Sequence, residues 1–193
     1  IVLVKDYLDM EVIGSTIDDA AGEAFDKSAK LLGFPYPGGP LIDKCAKEGN
    51  ADAFSFSKPN MEGYNFSFSG LKTAIMYFLK RETKNNPEFI EENKADLCAS
   101  IQRTIVSILL KKITLAAKDL KITQIAIAGG VSANSGLRSA MMHLGEQENW
   151  YIFIPKFEYC TDNAAMIAIA GKFMLEKGLT AGQEISAKAR MAM

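Results

Sequence analysis

The run Ile122–Ala128, ITQIAIA, most constrains the fold of this chain. It is short, apolar and rich in β-branched residues, the pattern of a buried parallel strand. Helical periodicity flanks it on both sides. Within Lys94–Leu120, Leu97, Ile101, Ile105, Ile108 and Lys112 recur every three or four residues, and Leu109, Ile113 and Ala117 widen the stripe. Beyond it, Ala133–Gly145 reads as a helix, Trp150–Ile154 as a second strand and Asp162–Lys177 as a third helix. A parallel strand needs a crossover to reach its partner, and the helix at 133–145 supplies one. This order predicts an α/β architecture.

The first half adds a hairpin. Ile1–Val4 and Met10–Ser15 read as strands joined by a turn around Lys5–Asp9. A helix follows over Asp18–Leu32, then the rigid turn Pro35–Pro40 and a short helix over Leu41–Lys47. Phe54, Phe56, Phe66 and Phe68 alternate in two extended pieces. Ser69 is the expected N-cap of a helix reaching Arg81, and Asn85, Asn86 and Pro87 break the pattern. The whole is a mixed sheet with helices on both faces, and no repeat or linker divides it.

The composition excludes several classes. Hydrophobic content of 48% and charged content of 23% suit a globular protein with a real core. A net charge of -1 gives no global attraction for polyanions. Cys45, Cys98 and Cys160 match no metal spacing and no disulfide framework, which points to a reducing, cytoplasmic setting. No apolar run is long enough to span a membrane. His143 is the single histidine, so the chain cannot supply the histidine pair of a zinc hydrolase.

Four segments carry the candidate chemistry. Thr16–Pro40 reads as a helix with Gly22 inside it and carboxylates on one face; Asp18, Gly22 and Asp26 recur every four residues. Interior glycine costs about 1 kcal/mol against alanine, so Gly22 marks a close approach. The bland reading is an acidic first turn that favours the helix dipole. In Ile122–Arg138 a strand ends at Gly129-Gly130 and a helix begins near Asn134, an arrangement that serves either a tight connection or a phosphate. In Cys160–Gly171, Thr161 is the expected N-cap, and Asp162 either complements the helix dipole or ligates a cation at the sheet's carboxyl edge. Asn65–Thr73, NFSFSGLKT, is a strand-to-helix junction. Lys72, Lys80, Arg81 and Lys84 form one candidate basic edge, and Arg103, Lys111, Lys112, Lys118 and Lys121 another.

Together, GSTIDDAAGEAFDKSAKLLGFPYPGGP, FSFSGLKT, AGGVSANSGLR and CTDNAAMIA resemble the tRNA adenosine threonylcarbamoyltransferases (TsaD or Gcp), a family once labelled O-sialoglycoprotein endopeptidase. The resemblance covers nearly the whole chain and keeps the order and spacing of all four segments. It implies one lobe of the actin-like, sugar kinase and Hsp70-like ATPase fold (RNase H-like). It also implies transfer of a threonylcarbamoyl group from threonylcarbamoyl adenylate to the adenosine beside the tRNA anticodon. By this resemblance Asp26 and Asp43 hold the adenylate's sugar, Gly39 lets it approach, Gly129 and Gly130 pass close to its phosphate, and Asn134 contacts the nucleotide. Asp162 becomes one ligand of a divalent metal, iron or zinc. The implied partners are tRNA and the proteins of the threonylcarbamoyladenosine complex.

The sequence departs from the family pattern in places. A HxxxH pair and a Ser-Gly-Gly-His turn are not found in it, so residues 1–193 are expected to form the carboxyl-terminal lobe, with the amino-terminal lobe and the first strand of this lobe absent. The start at IVLV, inside a strand-like run, fits that expectation, and the strand left open predicts self-association through its edge. Ser57 and Lys58 replace an expected proline and arginine, and the tail Ser186–Met193 lacks the proline usual between its basic residues. The chain alone is then expected to be inactive. The alternatives are a non-catalytic nucleotide-binding or partner-docking lobe, an actin-like sugar kinase and a glycoprotein metalloendopeptidase.

Overall fold

The computed structural model describes residues 1–59 and 61–186. Most of the tail singled out above, from residue 187 on, lies outside the described residues. Strands β1 (Val2–Asp6) and β2 (Asp9–Val12) pair antiparallel, with Val2 opposite Val12 and Val4 opposite Met10. Helices α1 (Ala21–Leu31) and α2 (Gly39–Ala46) follow, then α3 (Ser69–Asn85), the short α4 (Phe89–Glu92) and α5 (Lys94–Leu120). Strand β3 (Gln124–Ala126) leads through a 3₁₀ turn at Gly130–Ala133 into α6 (Ser135–Glu148). Strand β4 (Tyr151–Phe153) runs parallel to β3, and α7 (Ala164–Glu176) closes the order.

The helices make the core. Phe25 and Leu32 from the α1 segment, Ile42 from α2, Leu71 and Ile75 from α3, and Leu97, Ile101 and Ile105 from α5 are buried together. The predicted three-to-four spacing along α5 is the reason: it turns one stripe of a 27-residue helix inward. A smaller cluster of Val106, Leu137 and Met141 takes in Ile125 and Ile152 from the strands.

Several expectations change. The parallel strand exists, yet it is not buried: Gln124 and Ala126 are exposed, because β4 is its only strand partner among the described residues. The two strand pairs are separate two-stranded sheets. The first helix starts at Ala21, so Asp18 does not share a helical face with Gly22 and Asp26. Its carboxylate is drawn off to Phe68 N–H at 2.7 Å and to the Ser67 hydroxyl at 2.5 Å, across some fifty residues of sequence. That contact also overturns Ser69 as N-cap: the cap position of α3 is Phe68, and Asp18 satisfies its N–H from outside. Likewise Thr161 does not cap α7; Asn163 does, its Oδ1 accepting Met166 N–H at 3.1 Å.

The second basic edge does not form as drawn. Lys112 is 5% exposed and donates to the carbonyls of Met61 and Gly63, which satisfy the buried charge. Arg103 pairs with Asp52, and Lys118 with Glu148 at 2.6 Å.

Candidate nucleotide-facing site

Asp26 sits in the middle of α1, and its Oδ1 accepts the N–H groups of Gly38 at 2.8 Å and Gly39 at 3.0 Å. One carboxylate oxygen therefore fixes the turn that opens α2. Glycine is required at 38, where an added Cβ would collide with the Ala29 Cβ. At Gly39 an added Cβ would meet Phe25 Cβ at 3.7 Å, an ordinary contact, so the fold itself leaves that position free to vary.

From α2, Asp43 reaches the first residue of α6. Its Oδ1 accepts Ser135 N–H at 3.0 Å and Ser135 Oγ–H at 2.7 Å. A helix start carries unsatisfied N–H groups and partial positive charge, so a carboxylate there is favourable. Asn134 completes the cap, its Oδ1 accepting Leu137 N–H at 2.9 Å while its Nδ2 donates to Gln102 Oε1 at 2.7 Å. With both ends of the amide engaged and 8% exposure, Asn134 shapes the helix start from within.

Gly129 has φ +78°, the region that favours glycine, and no atom lies within 4 Å of a Cβ added at Gly129 or Gly130. The backbone there is open to an approaching group. Gly22 lies where this turn meets α1: an added Cβ would lie 3.6 Å from Val131 Cγ2. That distance is an ordinary contact, so the fold does not require glycine at 22, and the close approach expected there is not seen among the described residues. Asp26, Gly39, Asp43, Asn134 and Gly129-Gly130 belong to elements joined by these contacts.

Asp162 stands apart. It is exposed and precedes the α7 cap. Its loop is tied to the 3₁₀ turn by Arg138, which sequence reading missed. Arg138 Nε donates to Ser132 O at 2.7 Å; Nη2 donates to Pro155 O at 2.7 Å and to Cys160 Sγ at 3.2 Å. The guanidinium also covers the Phe157 ring at 4.0 Å. No group of three or more His, Cys, Asp or Glu side chains gathers anywhere among the described residues. One exposed carboxylate does not by itself hold a metal tightly.

The remaining titratable groups support the scaffold. Burial alone would raise the Asp18 carboxyl, yet the hydrogen bonds from Phe68 N–H, the Ser67 hydroxyl, Ser69 N–H and Asp19 N–H outweigh it and hold the group below the usual carboxylate range. Burial, with the neighbouring Cys45 thiol, pushes the Cys98 thiol far up, so Cys98 stays protonated and unreactive. His143 is exposed beside Gln147, at 3.0 Å, as a surface histidine.

The fold is an α/β fold of the actin-like ATPase class, with carboxylates holding the glycine turn before α2 and the capped start of α6. Residues 1–169 match the family model of the tRNA N6-adenosine threonylcarbamoyltransferases, TsaD, and the chain belongs to that family. A relative of that name from Christiangramia forsetii is 61% identical over 190 residues, covering 98% of this chain and 56% of its own length. One from Riemerella anatipestifer is 57% identical over 190 residues with the same coverage, and one from Thermosipho africanus 50% identical over 189. The chain spans about half the length of these relatives. Among solved structures, full-length HypF in its phosphate- and nucleotide-bound form superposes with a TM-score of 0.61 at 14% identity, over 83% of this chain and 25% of that one, which shows shared fold. No helix among the described residues is long and apolar enough to cross a membrane.

Proposed function

We propose that this chain is the nucleotide-binding lobe of an enzyme that transfers a threonylcarbamoyl group from threonylcarbamoyl adenylate to an adenosine of tRNA. The observation that carries the reading is the linked set Asp26–Gly39 and Asp43–Ser135, on elements packed beside the open Gly129-Gly130 backbone. In each carboxylate Oδ1 is committed to the fold, while Oδ2 has no hydrogen bond among the described residues. Those free oxygens suit the two hydroxyls of a ribose. The exposed glycine backbone suits a phosphate, which needs close approach more than charge. In the transfer, the adenosine amine attacks the carbamoyl carbon, loses a proton, and adenylate leaves as AMP.

In this reading the lobe binds and orients, and no residue of it is assigned to move a proton. Asp162 supplies a single carboxylate to a metal site whose other ligands come from outside the chain. The lobe works in the cytoplasm with tRNA and the proteins of the modification complex, and the edge of the β1–β2 hairpin, which has no strand partner among the described residues, favours self-association.

The expected behaviour is binding without turnover. Purified chain given threonylcarbamoyl adenylate and tRNA should yield no modified tRNA. Turnover at the rate of a full-length relative would show that the chain holds a complete catalytic centre and defeat the reading.

A further inference from the structure

Helix α3 turns a basic face to solvent. Its inward residues Leu71, Ile75 and Leu79 are buried, and the other side carries Lys72, Met76, Tyr77, Lys80 and Lys84, all exposed. The three lysines follow one another at intervals of eight and four residues, so they share one side of the helix. No ion pair or hydrogen bond engages their ammonium groups among the described residues. The acids nearby are committed elsewhere. Glu82, the only acid of α3, pairs with Arg81 at 2.7 Å. Past the helix end Glu91 pairs with Lys94 at 2.8 Å, and Glu92 accepts Asn86 Nδ2 at 2.7 Å. Glu88 lies beyond the Asn86-Pro87 break, off the helix. The first basic edge read from the sequence therefore forms without Arg81. Lys58 extends it: Lys58 is exposed, and Pro59 beside it lies 3.5 Å from a Cβ added at Gly70, so this loop flanks the helix start.

We propose that this face of α3, centred on Lys72, Tyr77, Lys80 and Lys84, seats the phosphate backbone of the tRNA. The inference rests on tRNA being the substrate, as proposed above, and adds where it docks. Charge selects the partner: at 1.5 Å per residue the three lysines span about 18 Å of helix. A single phosphate cannot reach all three, whereas a nucleic-acid strand carries one charge per nucleotide. Tyr77, 62% exposed, offers a ring face to an unpaired base, and RNA loops supply such bases. The face is also tied to the nucleotide-facing site. Asp18, just before α1, accepts Phe68 N–H at the head of α3, and α1 carries Asp26.

Fluorescence anisotropy of a labelled, unmodified tRNA transcript titrated with this chain tests the face. Wild type should bind at about 50 mM salt, with affinity falling steeply as salt rises. Lys72→Gln, Lys80→Gln and Lys84→Gln together should weaken binding at least about tenfold and lower the salt slope by about two, with circular dichroism unchanged. Tyr77→Ala should weaken it at least about threefold and leave the slope alone. The control triple Lys5→Gln, Lys172→Gln and Lys177→Gln removes the same charge from the hairpin and the α7 end and should shift affinity by less than about twofold. Absence of tRNA binding by the folded wild type would overturn the proposal. So would equal losses from both triples, because overall charge would then suffice. Displacement of the tRNA by polyglutamate at equal charge concentration would also overturn it, because the face would then suit an acidic protein segment. The α3 triple should bind AMP as wild type does. Loss of tRNA binding with AMP binding intact in the wild type strikes this face alone. Absence of AMP binding, with tRNA binding still dependent on the three lysines, strikes the nucleotide reading and supports this face.

Discussion

Asp43 on α2 holds the first residue of α6, its Oδ1 taking both the N–H and the hydroxyl of Ser135 at 3.0 and 2.7 Å. This pair couples the helix after the proline-glycine turn to the helix after the glycine-glycine turn. The first of these turns is held by the Asp26 carboxylate, and Asp43 ties the helix that follows it to the start of α6.

Asp43→Ala should remove a helix cap and cost about 1 kcal/mol, read as a lowered urea midpoint. Ser135→Ala should cost less, since only the hydroxyl half of the contact goes and the N–H still finds the carboxylate. Equal midpoints for wild type and Asp43→Ala would show that the contact does not support the fold.

Gly38 and Gly39 should respond in opposite ways to alanine. Gly38→Ala collides with Ala29 and should destabilise the chain by about 1–3 kcal/mol. Gly39→Ala has ordinary clearance, so its urea midpoint should be unchanged while its affinity for AMP falls. A stability loss at Gly39 as large as that at Gly38 would mean that the turn serves packing alone.

Asp18 sets an acid limb. Its folded carboxyl lies below the ordinary value of about 3.9, so its contribution is complete above that value and is lost as pH falls through the lower folded one. Asp18→Asn should flatten stability against pH below about 4 and leave the slope between pH 6 and pH 8 untouched. The check is urea unfolding across that range; an unchanged acid slope would contradict the capping role.

Arg138→Met should free the loop that bears Asp162. With two carbonyl acceptors and the Cys160 sulfur left without their donor, amides of residues 156–162 should exchange at least about tenfold faster, while α1 and α5 are unaffected. Unchanged exchange there would remove Arg138 as the tie between that loop and the 3₁₀ turn.

The parts of this architecture written in local periodicity were legible in the sequence. The stripe of α5 falls where Leu97 to Ile108 placed it, and the parallel pairing of β3 with β4 follows from strand–helix–strand order. Contacts distant in sequence were not legible. Asp18 looks like one more acid of a helix until Phe68, fifty residues on, takes its carboxylate. Gly22 suggested a close approach, yet its nearest neighbour, Val131, is at ordinary contact distance, and Lys112, at a stripe position of α5, does not name the two carbonyls that take its buried ammonium. Arg138 gave no signal, because its partners are backbone carbonyls and a thiol, which no spacing encodes. The exposure of β3 was hidden for a different reason: an apolar run reports what a strand is built to meet, and only the fold reports what it does meet.

Titration calorimetry of this chain with AMP tests the central claim most directly. Wild type should bind one AMP per chain, Asp43→Asn should bind at least about tenfold more weakly with its circular dichroism unchanged, and tRNA should remain unmodified throughout. Absence of AMP binding by the folded wild type, or equal binding by Asp43→Asn, would contradict the account.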